Sequence, residues 1–329
     1  MKGLSAFRGI PTKIIVVSLV ILALVVAALI GINEWEKRKA HFAEQEANDS
    51  YLEYDGETYI LRENVETFLV LGLDKFEGTA SADSYNNDMQ ADFLLLFVFD
   101  NDTKKYSAIH INRDTIADVN VLGVAGNKIS TVKQQIALAH TYGNGKDVSC
   151  HNTADAVSAL LGNARINHYI SLTLDAVPVF NDLVGGVELE ILDDFTGIDN
   201  TLVKGNTVTL MGEQALRYVR SRSGLDDSTN SNRMIRQRQY MNALYQKAML
   251  EMSKDENFII DASVKMSDYM ISDRSVTQLQ TLANKFNEYE FEGIRALEGE
   301  SKNGEQFVEF YPDEEHLMQT VIELFYKKK

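Results

Sequence analysis

ADFLLLFVFDNDTKKYSAIHI, residues 91–111, decides the fold class. Its first half, Ala91–Asp100, is a short and strongly apolar run bounded by turn-formers, the pattern of a strand covered on both faces. Asn101-Asp102-Thr103 turns the chain into Tyr106–Ile111, so the segment predicts a β-hairpin. Upstream, ETFLVLGL (66–73) predicts another buried strand. Downstream, helices are expected over 131–141, with Ser130 as N-cap and Gly143-Asn144-Gly145 as the stop, and over 149–161, ending at Gly162. Tyr169–Leu174 reads as a strand, Asp175–Leu183 as a helix and Val187–Leu192 as a strand. A short helix over 212–222 and a long one over 232–253 follow. The last third predicts helices over 257–270 and 274–287, strands near 290–298 and 305–310, and a helix after Pro312. Strands interleaved with helices imply an α/β layered fold, and no linker interrupts the chain after residue 58, so one large domain is expected.

Ahead of that domain, Ile14–Ile32 (IIVVSLVILALVVAALIGI) carries no charge. At about 1.5 Å per residue such a run nearly crosses a hydrocarbon core of about 30 Å. It is too long for an ordinary signal-peptide core, and no small-x-small site precedes Glu34–Lys39, so an uncleaved transmembrane anchor is expected. The expected organisation is a cytoplasmic 1–13, a transmembrane helix 14–32, a helical or polar stalk 33–57 and an extracytoplasmic domain 58–329. The chain has 329 residues and a formal net charge of -16, which opposes nucleic acid as a partner, because an acidic surface repels phosphates. Its single cysteine, Cys150, forms no internal disulfide, and no Cys/His cluster has zinc spacing. Neither a Walker loop, a GxGxxG after a strand, a GxSxG elbow nor HExxH is present, so nothing points to a nucleotide cofactor or a covalent nucleophile.

Polar residues stand at the ends of the apolar runs, where open α/β sheets carry their sites. Asp74 closes one predicted strand and Asp92 opens the next; such carboxylates can hold a hard cation, but spacing alone favours a turn cap and a solvated strand end. Asn112-Arg113-Asp114-Thr115 follows the strand YSAIHI, and its Arg–Asp pair is either a structural ion pair or part of a site. Between 217 and 238 come Arg217, Arg220, Arg222, Arg233, Arg236 and Arg238, with no lysine among them. The planar guanidinium grips phosphate oxygens bidentately, so a subset of these arginines reads as an anion site.

These segments in this order resemble the LytR-CpsA-Psr family of cell-wall glycopolymer ligases. The resemblance is carried by LVLGLD (69–74), ADFLLLFVFDNDTKKYSAIHINRDT (91–115), HYISLTLDAVPVFNDLVGGVELEI (168–191), LMGEQALRYVRSRSG (210–224) and RMIRQRQ (233–239). It implies a single α/β/α domain with a central mixed sheet and a deep apolar pocket for a polyprenyl chain. The implied activity is transfer of teichoic acid, capsular or related polymer from polyprenyl pyrophosphate to peptidoglycan, at a muramic acid hydroxyl, with Mg2+ as cofactor. By position, Asp74 and Asp92 match the metal aspartates, Arg113 the arginine of the family's I-P-R-D motif, Arg220 and Arg222 the pyrophosphate pair, and Gln237 the pocket glutamine. The expected catalytic set is therefore Arg113, Arg220, Arg222 and Asp92, with Asp114, Arg236 and Gln237 adding to substrate binding.

Three departures stand out. Phe76 and Gln90 occupy positions where the family carries arginine, and Asn112 replaces a proline. Two other readings compete with the transferase: a non-catalytic envelope-binding scaffold using the same pocket, and a transcriptional attenuator, which the net charge and the outward-facing domain oppose.

Overall fold

The computed structural model describes residues 51–74, 87–305 and 307–329. They divide into two compact units. In the smaller, β1 (Tyr51–Tyr54) and β2 (Glu57–Leu61) form an antiparallel hairpin whose other edge takes the C-terminal strand Tyr326–Lys328. Asp55 and Gly56, both at positive φ, make the two-residue turn that this hairpin needs. The polar stalk expected over 33–57 therefore ends in sheet from Tyr51 onward. Residues 58–61 and 326–329, expected within the 58–329 domain, pair with each other and belong to this smaller unit.

The larger unit is Arg62–Phe325. Its strands are β3 (Val65–Leu73), β4 (Ala91–Asp100), β5 (Lys105–Ile111), β6 (Ile116–Leu122), β7 (Lys128–Gln135), β8 (His168–Thr173), β9 (Val187–Glu190), β10 (Thr207–Leu210), β11 (Met270–Ser272), β12 (Glu290–Ala296), β13 (Gly299–Asn303) and β14 (Val308–Pro312). Six of them build one mixed sheet in the order β11-β8-β3-β4-β5-β12. β3, β4 and β5 run antiparallel in succession, whereas β8 joins β3 and β12 joins β5 in parallel. The C-terminal ends of β3, β5, β8 and β12 thus gather beside the N-terminal end of β4, which places Asp74, Asp92 and Arg113 at one end of the sheet.

Alternation along β3 explains the layering. Leu69, Leu71 and Leu73 are fully buried, while Phe68, Val70 and Gly72 line an apolar cavity on the opposite face. That cavity lies between the sheet and the helices Ala176–Leu183, Asn230–Lys254, Phe258–Met266 and Val276–Phe286. The expected α/β domain with a central mixed sheet is what the chain forms. Among the described residues no helix is long and apolar enough to cross a membrane, and the predicted span 14–32 lies outside them.

Two predicted helices need correction. Residues 131–135 belong to β7, hairpin-paired with β6, and only Ile136–Thr141 is helical, as a short 3-10 turn. Lys128–Thr131 expose every side chain, so the strand has no apolar face to betray it. The helix expected over 257–270 stops at Met266, and Met270 enters edge strand β11. The remaining helices, Asp147–Leu160, Glu213–Arg220 and Glu314–Phe325, fall close to expectation.

Candidate functional site

Strand register aims the first acidic group. Gly72 pairs with Phe93 and Leu73 with Ala91, so Asp92 is an extra residue in a β-bulge. A side chain at Gly72 would bring its Cβ within 2.8 Å of the Phe93 Cβ, which is why the approach of β3 to β4 requires glycine there.

Arg113 leaves the end of β5 and is the hub. One Nη pairs with Asp92, the other donates to Gln90 Oε1 at 2.5 Å, and Nε lies 3.5 Å from Asp114 Oδ1. Gln90, which stands where the resemblance predicts arginine, thus orients the guanidinium instead of adding charge. Asn112 has a comparable role: its Oδ1 accepts from the Asp114 N–H at 3.0 Å and from Asn230 Nδ2 at 2.7 Å, tying the turn after β5 to the start of the Asn230–Lys254 helix. Asp114 is buried and its Oδ1 accepts from Gln135 Nε2 at 2.9 Å. Burial raises its pKa, against the opposing pull of Arg113, Arg233 and Arg222.

Arg220, at the last turn of the Glu213–Arg220 helix, reaches Asp74 Oδ1 at 2.8 Å, both side chains being more than half exposed. Arg222 lines a polar cleft of about 540 Å³ together with Arg113 and Asp114. Arg233 is buried, donates to Asn230 Oδ1 at 2.6 Å and keeps its Nε without a partner. Burial first, then Arg222 beside it, pushes its pKa down to about 10. Sequence reading placed Arg233 in the arginine run without assigning it a role; its i, i+4 spacing from Gln237 was the available signal.

Gln237 is buried on the wall of the apolar cavity, donating to the Val219 carbonyl at 3.2 Å while its Oε1 has no partner. The cavity, about 500 Å³, is lined by aromatic, aliphatic and methionine side chains, among them Phe93, Leu172, Val219, Tyr240 and Met241. Phe93 and Val219 are the chain neighbours of Asp92 and Arg220. The greasy wall and the charged end of the sheet therefore share their backbone.

Arg236 does not join this group. Its side chain is wholly buried, paired with Asp193 and donating to the carbonyls of Tyr218 (3.1 Å) and Ser221. Its guanidinium is spent within the protein, on the chain that carries Arg220 and Arg222, so the expected substrate contact is replaced by a supporting one. Gln135 and Asn230, which lay outside the sequence expectation, are drawn in by tertiary contact alone.

Among the described residues no cluster of three or more His, Cys, Asp or Glu side chains is poised around a metal position. Asp74 and Asp92 offer carboxylate oxygens at adjacent strand ends, each now countered by an arginine. Hard-oxygen donors of this kind suit Mg2+ when phosphate oxygens and water complete the shell.

The site can be compared with known proteins. The polyisoprenyl-teichoic acid–peptidoglycan teichoic acid transferase TagU of Bacillus mycoides is 29% identical over 158 residues, covering 48% of this chain and 47% of that protein. The chain spans about half the length of the relatives it matches in this way. Among solved structures, TagT bound to LI-WTA superposes with a TM-score of 0.59 at 20% identity, covering 80% of this chain and 90% of that one. B. subtilis TagV gives 0.57 at 21% identity, covering 80% and 98%. At that identity these two likenesses establish the fold. The model of the LytR_cpsA_psr family matches residues 28–324, nearly the whole length, and the chain belongs to that family.

Proposed function

We propose that this protein transfers a phosphate-linked glycopolymer from a polyprenyl pyrophosphate carrier to peptidoglycan, from the outer face of a membrane to which residues 14–32 anchor it. One observation carries this reading: an apolar cavity of about 500 Å³ shares its wall with a cluster of arginines and carboxylates. A hydrocarbon tail with a diphosphate head has that division of chemistry. The TagU relatives, named as teichoic acid transferases, support the polymer class.

In the proposed reaction an acceptor hydroxyl attacks the phosphorus that bears the sugar. A new phosphorus–oxygen bond forms, the bridging phosphoanhydride bond breaks, the electron pair leaves with polyprenyl phosphate, and the hydroxyl proton passes to solvent. Arg113, Arg220 and Arg222 hold the phosphoryl oxygens and offset the charge that develops on them, the main contribution a protein makes to phosphoryl transfer. Asp114, whose Oδ1 accepts from Gln135 and lies 3.5 Å from Arg113 Nε, supports Arg113 as an ion-pair neighbour. Asp74 and Asp92 would hold Mg2+, which supplies further neutralisation of the diphosphate.

The test uses the full-length chain in detergent with a polyprenyl pyrophosphate-linked sugar and Mg2+. Arg220→Ala and Arg113→Ala are expected to lower both transfer and hydrolysis of the carrier lipid by at least about a hundredfold. Unchanged turnover in both variants rejects the assignment. Tight binding by the parent protein without turnover identifies a scaffold instead.

A further inference from the structure

The polar cleft has two walls of different character. One carries Arg113, Arg222 and the first residues of the Asn230–Lys254 helix; the other is the β13–β14 hairpin. That hairpin is fixed to the reactive end of the sheet. Phe310 N–H donates to the Asp114 carbonyl at 2.8 Å, and Gln135 Nε2 bridges from Asp114 to the Val308 carbonyl at 2.8 Å. The wall is thus held in register with Arg113.

Its surface is unusual for an exposed hairpin. Phe307 is 59% exposed and lines the cleft beside Val308, with Ser301 and Asn303 on the paired strand. Lys302 is the hairpin's own cation in the cleft, and its ammonium is engaged by Glu300 at 3.3 Å and by the Tyr311 ring at 5.3 Å. An open aromatic face flanked by small hydroxyl and amide groups matches a pyranose ring, which presents axial C–H bonds to the aromatic and hydroxyls to the polar neighbours.

We infer that Phe307, Ser301 and Asn303 form the subsite for a pyranose ring of the acceptor glycan. The inference rests on the proposed transfer reaction for its direction. Displacement at phosphorus is in line, so the attacking hydroxyl enters opposite the leaving polyprenyl phosphate. With the prenyl chain in the apolar cavity, the cleft that Arg113 lines offers the acceptor a separate approach.

Two measurements on the full-length chain in detergent decide it. In the first, Phe307→Ala and Phe307→Tyr are compared in transfer to a soluble peptidoglycan tetrasaccharide and in hydrolysis of the same donor by water. Phe307→Ala is expected to raise the KM for the tetrasaccharide about tenfold and leave hydrolysis unchanged, with Phe307→Tyr close to the parent. An unchanged KM, or an equal loss of hydrolysis, overturns the acceptor assignment. In the second, Phe307→Trp serves as a fluorescent reporter titrated with the tetrasaccharide alone. Saturable quenching is expected whether or not any donor is turned over, and its absence rejects the subsite independently of the transferase reading. Phe307 is exposed, so these changes leave the folded core intact.

Discussion

Asp92 owes its direction to one surplus residue in the β3–β4 ladder, and Arg113 owes its direction to Asp92, Gln90 and Asp114 together. The charged members of the site could be named from the family resemblance, whereas spacing alone left turn caps, solvated strand ends and structural ion pairs open for the same residues. Their uncharged partners could not be named so. Gln90 and Asn112 read as losses of expected residues, and only the fold shows them as the hydrogen-bonding frame of the hub. Beneath them sits His110, fully buried, its ring 4.7 Å from that of Phe93 and its Nδ1 without a partner. Burial first, then Arg238 and Arg233 facing it, lowers its pKa to about 3 from 6.5. Between those values the unfolded chain binds a proton that the folded one refuses, so stability falls as pH drops through that window. His110→Asn is expected to flatten the dependence of denaturation midpoint on pH from 6.5 toward 3. His140, lowered to about 4 for the same reason of burial, leaves a residual slope. An unchanged profile in the variant assigns the acid sensitivity elsewhere.

Helices and hairpins divide the labour of placing these groups. The Glu213–Arg220 helix ends in extended backbone at Ser221, and Arg236 from the neighbouring helix grips the carbonyls of Tyr218 and Ser221 on either side of that ending. Arg236→Met leaves Asp193 buried without its counter-charge and is expected to cost about 3–5 kcal/mol in denaturant unfolding. Arg236→Met combined with Asp193→Asn should recover much of the loss, and failure to do so shows that the carbonyl ties outweigh the ion pair. Elements with a buried face were legible: β3, β4, β5 and the long helix all fell where periodicity put them. β6 and β7 were not, because Lys128–Thr131 are solvated on both sides and the apolar Ile136–Ala139 cluster beside them imitates a helix. The turn of β1 into β2 escaped notice for a similar reason, its strands being only half covered.

At a larger scale, the central sheet carries a hydrocarbon-lined chamber on one face and a charged rim at the adjoining end. Ala248, on the chamber wall, offers a test of what the chamber is for. Ala248→Trp is expected to lower kcat/KM for long-chain prenyl donors at least about tenfold while sparing a short-chain analogue, since the added ring takes the space of the tail. Equal effects on both donors place the tail elsewhere. The layered architecture could be anticipated from interleaved strands and helices, whereas the chamber was implied only by the family resemblance, because a side chain facing a void and one facing a packed core look alike in sequence. The rim has a further consequence of its own. Asp74 holds Arg220 and Asp92 holds Arg113, so neither guanidinium waits unattached for an anion. A visitor must offer more than these carboxylates already do, and one presenting two linked phosphoryl groups can exchange with both latches at once. Selection by valence follows: inorganic phosphate should compete weakly and pyrophosphate strongly, before any sugar or lipid has been recognised.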